Sequence, residues 1–168
     1  MKIFLIGFMG SGKSYWGSQL SEKLKIPFFD LDEQVETNEG KSINELFAEH
    51  GEEYFRLLEK EVMHILTESH PSFIMATGGG TPCYFNNIDY MNNKGTTVWI
   101  NTPVDLLFER LVKEKANRPL IKDLTDDQLR GFILKKYADR KIYYEQCALI
   151  MDEENKSIEN FVEKIFHE

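Results

Sequence analysis

The chain has 168 residues, about one ordinary domain, and its 42% hydrophobic and 29% charged residues lie near the averages of globular proteins. A net charge of −8 argues against nucleic acid as a general partner, because such binding rests on neutralising phosphates. The longest apolar runs, Ile3 to Phe8 and Phe73 to Ala76, fall far short of the roughly 20 residues of a membrane span, and the start lacks a secretory pattern, so no membrane contact and a cytoplasmic address are expected.

Lys2 to Gly7 is almost wholly apolar, the pattern of a strand buried on both faces in a parallel sheet covered by helices. Trp16, Leu20 and Leu24 share a helical face after Lys13, and Ile26-Pro27 ends that helix before a short strand, Pro27 to Phe29. From Ser42 to Ser69, Leu46, Phe47, Phe55, Leu58, Val62, Ile65 and Leu66 recur at helical intervals interrupted near Gly51, which predicts two consecutive helices. A strand over Ser72 to Thr77, a glycine turn, a short helix around Asn87 to Met91 and a strand over Thr96 to Asn101 follow. Thr102-Pro103 is expected to open a helix, threonine as cap and proline in the first turn. Glu114 to Asp127 is charged and lacks an apolar stripe, so it reads as a mobile excursion outside the core, a lid. A helix from Thr125 to about Tyr144, a strand from Ala148 to Met151 and a helix from Ser157 to Phe166 complete the chain. Strands separated by helices imply an α/β fold in three α/β/α layers around an open parallel sheet, one domain over 1–168, with ligands at the carboxyl ends of the strands.

Gly7-Phe8-Met9-Gly10-Ser11-Gly12-Lys13-Ser14 has the spacing of a phosphate-binding loop and lies between a strand and a helix, the context its chemistry requires. Backbone amides converge on phosphate oxygens there, Lys13 offers charge to the β and γ phosphates, and Ser14 can ligate Mg²⁺. Asp30 and Asp32, two apart at a strand end, can aim both carboxylates at that crevice, though aspartate there equally suits a helix cap. Gly78, Gly79 and Gly80 follow another strand and either admit a ligand to the backbone or make a tight turn.

Arg140 shares a helical face with Leu129, Ile133, Tyr137 and Tyr144, where a guanidinium demands either a structural salt bridge or an anionic ligand. Arg56 lies within a turn of Glu52 and Glu59, which suits exposed helix pairs as well as a ligand contact. Arg118, before Pro119 in the expected lid, could swing over the γ phosphate or remain a solvated loop arginine. Cys83 and Cys147 have neither metal-ligand spacing nor the density of a disulfide scaffold; both read as reduced thiols, Cys83 as a small buried filler.

Taken in order, the glycine loop, Phe29-Asp30-Leu31-Asp32, Gly51-Glu52-Glu53-Tyr54-Phe55-Arg56, the triple glycine, Arg118-Pro119-Leu120, and Arg140 before Tyr144 resemble the shikimate kinase family over nearly the whole chain. The resemblance implies a P-loop NTPase fold of the nucleoside monophosphate kinase type, with five parallel strands in the order 2-3-1-4-5, a substrate-binding region at about 31–61 and a lid at about 113–126. It implies transfer of a phosphoryl group from ATP to the 3-hydroxyl of shikimate, in aromatic amino acid biosynthesis, by a monomer. By the same resemblance Gly10, Ser11, Gly12, Lys13, Ser14, Tyr15, Arg110 and Arg118 hold ATP, and Ser14 and Asp30 hold Mg²⁺. Asp32, Arg56, Gly78, Gly79, Gly80 and Arg140 hold shikimate, and Lys13, Asp32 and Arg118 are catalytic. The family usually has Pro-Leu-Tyr after its substrate arginine, whereas this chain reads Lys141-Ile142-Tyr143-Tyr144, so its helix is expected to run on straighter. A kinase of similar architecture for another hydroxy acid such as gluconate, and a nucleotide-binding regulatory module without catalysis, are the rival readings.

Overall fold

The structure, a computed structural model, describes residues 1–118 and 120–167; Pro119 of the expected lid lies outside them. Strands β1 (Lys2–Ile6), β2 (Phe28–Asp30), β3 (Phe73–Ala76), β4 (Thr96–Asn101) and β5 (Leu149–Asp152) form a parallel sheet in the order β2-β3-β1-β4-β5. Position follows from composition: β1 takes the centre because Ile3, Phe4, Leu5 and Ile6 are all apolar and wholly buried, whereas β2, at an edge, is only half-buried.

The alternation of β1 splits the core between the two faces of the sheet. Phe4 and Ile6 pack with α2 (Leu31–Glu39), α3 (Ile43–Ser69) and α4 (Asn87–Lys94), while Ile3 and Leu5 pack with α1 (Lys13–Leu24) and α7 (Ile158–Phe166). A third cluster joins Phe8, just past β1, to α5 (Val104–Glu114) and to Leu129 and Ile133 of α6 (Asp126–Tyr144).

Gly51 breaks α3 with φ 83° and ψ 173°, so this stretch is two helices in sequence, as its interrupted periodicity predicts. The helix α2 is absent from the sequence reading, because only Leu31 and Val35 of its nine residues are buried and so short and polar a stretch has no apolar stripe. The opening of α5 also differs: Pro103 occupies the cap position, and the hydroxyl of Thr102 accepts from Lys156 instead of capping the helix. The segment between α5 and α6 is not wholly outside the core, since Ile121 is fully buried in the third cluster and ties the expected lid to it. Among the described residues, no helix is long and apolar enough to cross a membrane.

Candidate active site

The glycine loop, the Asp30 to Asp32 turn and the triple glycine all leave the carboxyl ends of neighbouring strands β1, β2 and β3 and so meet in one crevice. Their meeting place is a cavity of about 710 Å³, within the size range of small-molecule sites. A smaller hollow of about 360 Å³ shares Met9, Asp32 and Arg118 with it and reaches Asn44 of α3 and Ile121 of the lid segment.

Gly7 takes φ 146°, and a Cβ there would lie 2.8 Å from the carbonyl oxygen of Ile100, so β1 can turn into the loop only through glycine. Lys13 opens α1, and its ammonium, almost fully buried, donates to the carbonyls of Gly7 at 2.6 Å and Phe8 at 2.9 Å. Burial, with Arg140 and Arg118 nearby, pushes its pKa down to about 7 against the opposing pull of Asp32 and Asp30. A buried ammonium in that state gains strongly from any anion that enters.

Both sequence readings of Asp30 hold. One carboxylate oxygen caps α2 by accepting from the Glu33 N–H at 3.2 Å, while the other accepts from the Ser14 hydroxyl at 2.6 Å. Asp32, in the first turn of α2, reaches the same crevice, and burial, then Glu59 and Asp30, push its carboxyl up to about 6.

The three consecutive glycines owe nothing to unusual backbone angles, since Gly78, Gly79 and Gly80 all lack positive φ. Space is the reason for them. A Cβ on Gly78 would lie 3.1 Å from both Asp32 Oδ1 and Glu59 Oε2, one on Gly79 3.0 Å from Arg140 Nη1, and one on Gly80 2.6 Å from Arg56 Nη2. The bare turn, closed by the Thr81 N–H on the Gly78 carbonyl at 3.1 Å, therefore gathers two carboxylates and both arginines around its backbone.

Arg56 and Glu59 are not the exposed helix pair the sequence allows. Arg56 is buried and Glu59 is 0% exposed, with Arg56 Nη1 3.2 Å from Glu59 Oε1 and the Thr81 hydroxyl donating to Glu59 Oε2 at 2.9 Å. The guanidinium also stands over the rings of Tyr84, 4.5 Å to the centroid, and Phe55, 5.2 Å. Sequence reasoning missed Glu59 as a site residue, although a signal existed: Phe55, Glu59 and Val62 share one face of α3, the pattern that singled out Arg140.

Arg140 bears on the alternative left open by its position. It sits beside Gly79 and over the ring of Phe8, 5.6 Å to the centroid, yet among the described residues no carboxylate lies within 4 Å of it, unlike Arg56, Arg110, Arg118 and Arg130. Among the described residues the salt-bridge alternative is not seen, and a guanidinium in that place would gain from an anion. Tyr144, one turn on and fully buried, donates to the Gly79 carbonyl at 2.5 Å and so fastens α6 to the glycine turn. The helix runs unbroken to Tyr144, as expected where the family has proline.

Arg118 borders the cavity paired with Glu114 at 2.8 Å, and Arg110 borders it while bound to the Gly10 carbonyl at 3.0 Å and to Glu153 at 3.2 Å. Tyr15 also lines the cavity. Cys83 is half-buried, and burial pushes its thiol up to about 11, which makes it a poor nucleophile and fits the filler reading.

A glycine loop opening a helix at the end of a central parallel strand, with a hydroxyl and two carboxylates facing it, is the equipment of the P-loop kinases. A family model described as shikimate kinase matches residues 9–168. A shikimate kinase of Azobacteroides pseudotrichonymphae is 36% identical over 98% of this chain and 96% of its own. Among solved structures, a shikimate kinase from Bacteroides thetaiotaomicron superposes with TM-score 0.89 at 38% identity, covering 98% of this chain and 95% of its own. Another, from Acinetobacter baumannii in complex with shikimate, gives TM-score 0.84 at 30% identity over 98% and 89%. The chain belongs to the shikimate kinase family, and it is a kinase.

Proposed function

We propose that the chain transfers the γ-phosphoryl group of ATP to the 3-hydroxyl of shikimate, giving shikimate 3-phosphate for aromatic amino acid biosynthesis. The observation that carries this reading is Arg140, a guanidinium on an apolar helix face without a carboxylate partner among the described residues, beside the glycine turn and opposite the phosphate loop. With Arg56 it offers a carboxylate two planar cations, and Asp32 stands across the crevice to receive a hydroxyl.

In this mechanism Gly10, Ser11, Gly12, Lys13, Ser14 and Tyr15 cradle the triphosphate, and Arg110 borders the nucleotide. Lys13 releases the loop carbonyls of Gly7 and Phe8 for phosphate oxygens, and Arg118 leaves Glu114 to meet the moving phosphoryl group. Asp32, with its carboxyl near 6, is mostly ionised at pH 7 and orients the hydroxyl or accepts its proton. Arg56, Gly78, Gly79, Gly80 and Arg140 fix the ring and carboxylate so that oxygen and phosphorus stand in line. Ser14 and Asp30 form a pair of hard oxygens, a set that suits Mg²⁺, which keeps several waters and takes phosphate oxygens. Bound there with ATP, the ion would neutralise phosphate charge. The same reading has residues 1–168 acting as one domain, with a substrate-binding region at about 31–61 and a lid at about 113–126, as a cytoplasmic monomer.

Coupled ADP release with shikimate and with gluconate tests the assignment. Turnover with shikimate and little with gluconate is expected; preference for gluconate would assign the crevice to another acid, and no turnover with either would return the regulatory alternative.

A further inference from the structure

Two cations flank the phosphate loop and border the same cavity. Lys156, just before α7, has a side chain only 4% exposed and lies 145 residues from the loop serine it touches. Its ammonium donates to the Thr102 hydroxyl at 2.8 Å, to the Ser11 carbonyl at 3.4 Å and to one oxygen of Glu153. The other Glu153 oxygen takes Arg110, whose second nitrogen donates to the Gly10 carbonyl at 3.0 Å. One carboxylate thus yokes two cations, and these grip two consecutive carbonyls of the loop.

An ammonium has three protons, and Lys156 already has three acceptors for them, so it has none left for a phosphate oxygen. Its effect must pass through the loop. In a planar trans peptide the N–H points opposite to the C=O, so holding the Ser11 carbonyl back turns the Gly12 N–H away from Lys156. Arg110 does the same for the next peptide toward the N-terminus, whose Ser11 N–H closes the turn on the Phe8 carbonyl at 3.1 Å. Loop amides serve an anion only when they are already aimed, since reorienting them on binding costs affinity.

We propose that Lys156, acting with Glu153 and Arg110, is a positioning residue that presets the phosphate loop for the triphosphate from the far end of the chain. This rests on the reading that the loop holds ATP. It assigns to Lys156 and Glu153, which also border the cavity, a part in nucleotide binding exercised through the loop backbone.

Titration calorimetry with MgATP and, separately, with shikimate alone tests it on the wild type, Lys156→Met and Glu153→Gln, with KM for ATP measured beside it. The expected result is a Kd and KM for ATP raised about tenfold in each folded variant, with the shikimate Kd within about twofold of wild type. Glu153→Gln keeps size and hydrogen bonding and carries the test if Lys156→Met does not fold. Nucleotide Kd values within twofold of wild type would overturn the proposal, as would a shikimate Kd rising in step with them, which marks a general loss of structure. A wild type that binds no MgATP would instead overturn the phosphate-loop reading on which the proposal stands.

Discussion

At Asp32, burial lifts the carboxyl from 3.8 to about 6, so between those values the folded chain holds a proton that the unfolded chain releases. Stability therefore falls as pH rises across that window, and above it the ionised carboxylate opposes folding in full. Asp32→Asn removes this charge. The variant is expected to gain about 1–2 kcal/mol in urea unfolding at pH 8, to gain almost nothing at pH 4, and to lose most turnover. An equal effect at both pH values would mean that the charge is not what costs stability. The proposed roles of Lys13 and Arg140 separate chemistry from binding. Lys13→Ala is expected to lower kcat by about 10²–10³-fold, whereas Arg140→Ala raises the KM for shikimate about tenfold with a smaller change in kcat. Steady-state kinetics in which Arg140→Ala left both constants unchanged would remove it from the carboxylate clamp.

At the scale of elements, the glycine turn and α6 act as one part, because Tyr144 bonds the Gly79 carbonyl while Arg140 lies against the same glycine. A methyl group on Gly79 would meet Arg140 Nη1 at 3.0 Å and the Met9 amide nitrogen at 3.3 Å, so Gly79→Ala must displace the arginine or the turn. The expected outcome is a KM for shikimate raised several-fold with the KM for ATP little changed; a shift in the ATP constant alone would place the turn on the wrong substrate. The unusual place of Arg140 on α6 was legible in sequence because the apolar stripe of that helix is long enough to make one charged intruder conspicuous. Its neighbour α2 was not, being nine residues long with only two of them buried, even though Asp30 before it suited a cap. Glu59 stayed hidden for a different reason. Spacing from Arg56 describes an exposed ion pair and a buried one equally well; the face shared with Phe55 and Val62 hints at burial, and the packing of α3 against Thr81 and the glycine turn fixes it. Brace residues such as Lys156 leave no local pattern at all, because their partners lie at the other end of the chain.

Across the whole molecule, the order β2-β3-β1-β4-β5 brings three loops with like and unlike charges into one crevice, and the ligand-free fold bears the cost of their burial: Lys13 pushed down to about 7, Asp32 pushed up to about 6. Ligands that meet these charges should stabilise the fold by mass action. At a concentration of about 100 Kd, shikimate adds about 2.7 kcal/mol, which for a chain of this length raises Tm by roughly 5–10 °C. The same concentration applied to Arg140→Ala, if its affinity is about tenfold weaker, sits near 10 Kd and adds only about half as much. Thermal unfolding of the two proteins over a shikimate series therefore reads the clamp without any turnover, and independently of nucleotide. Curves that coincide would mean that shikimate binds without Arg140, and the carboxylate would then have to be sought at Arg56 alone.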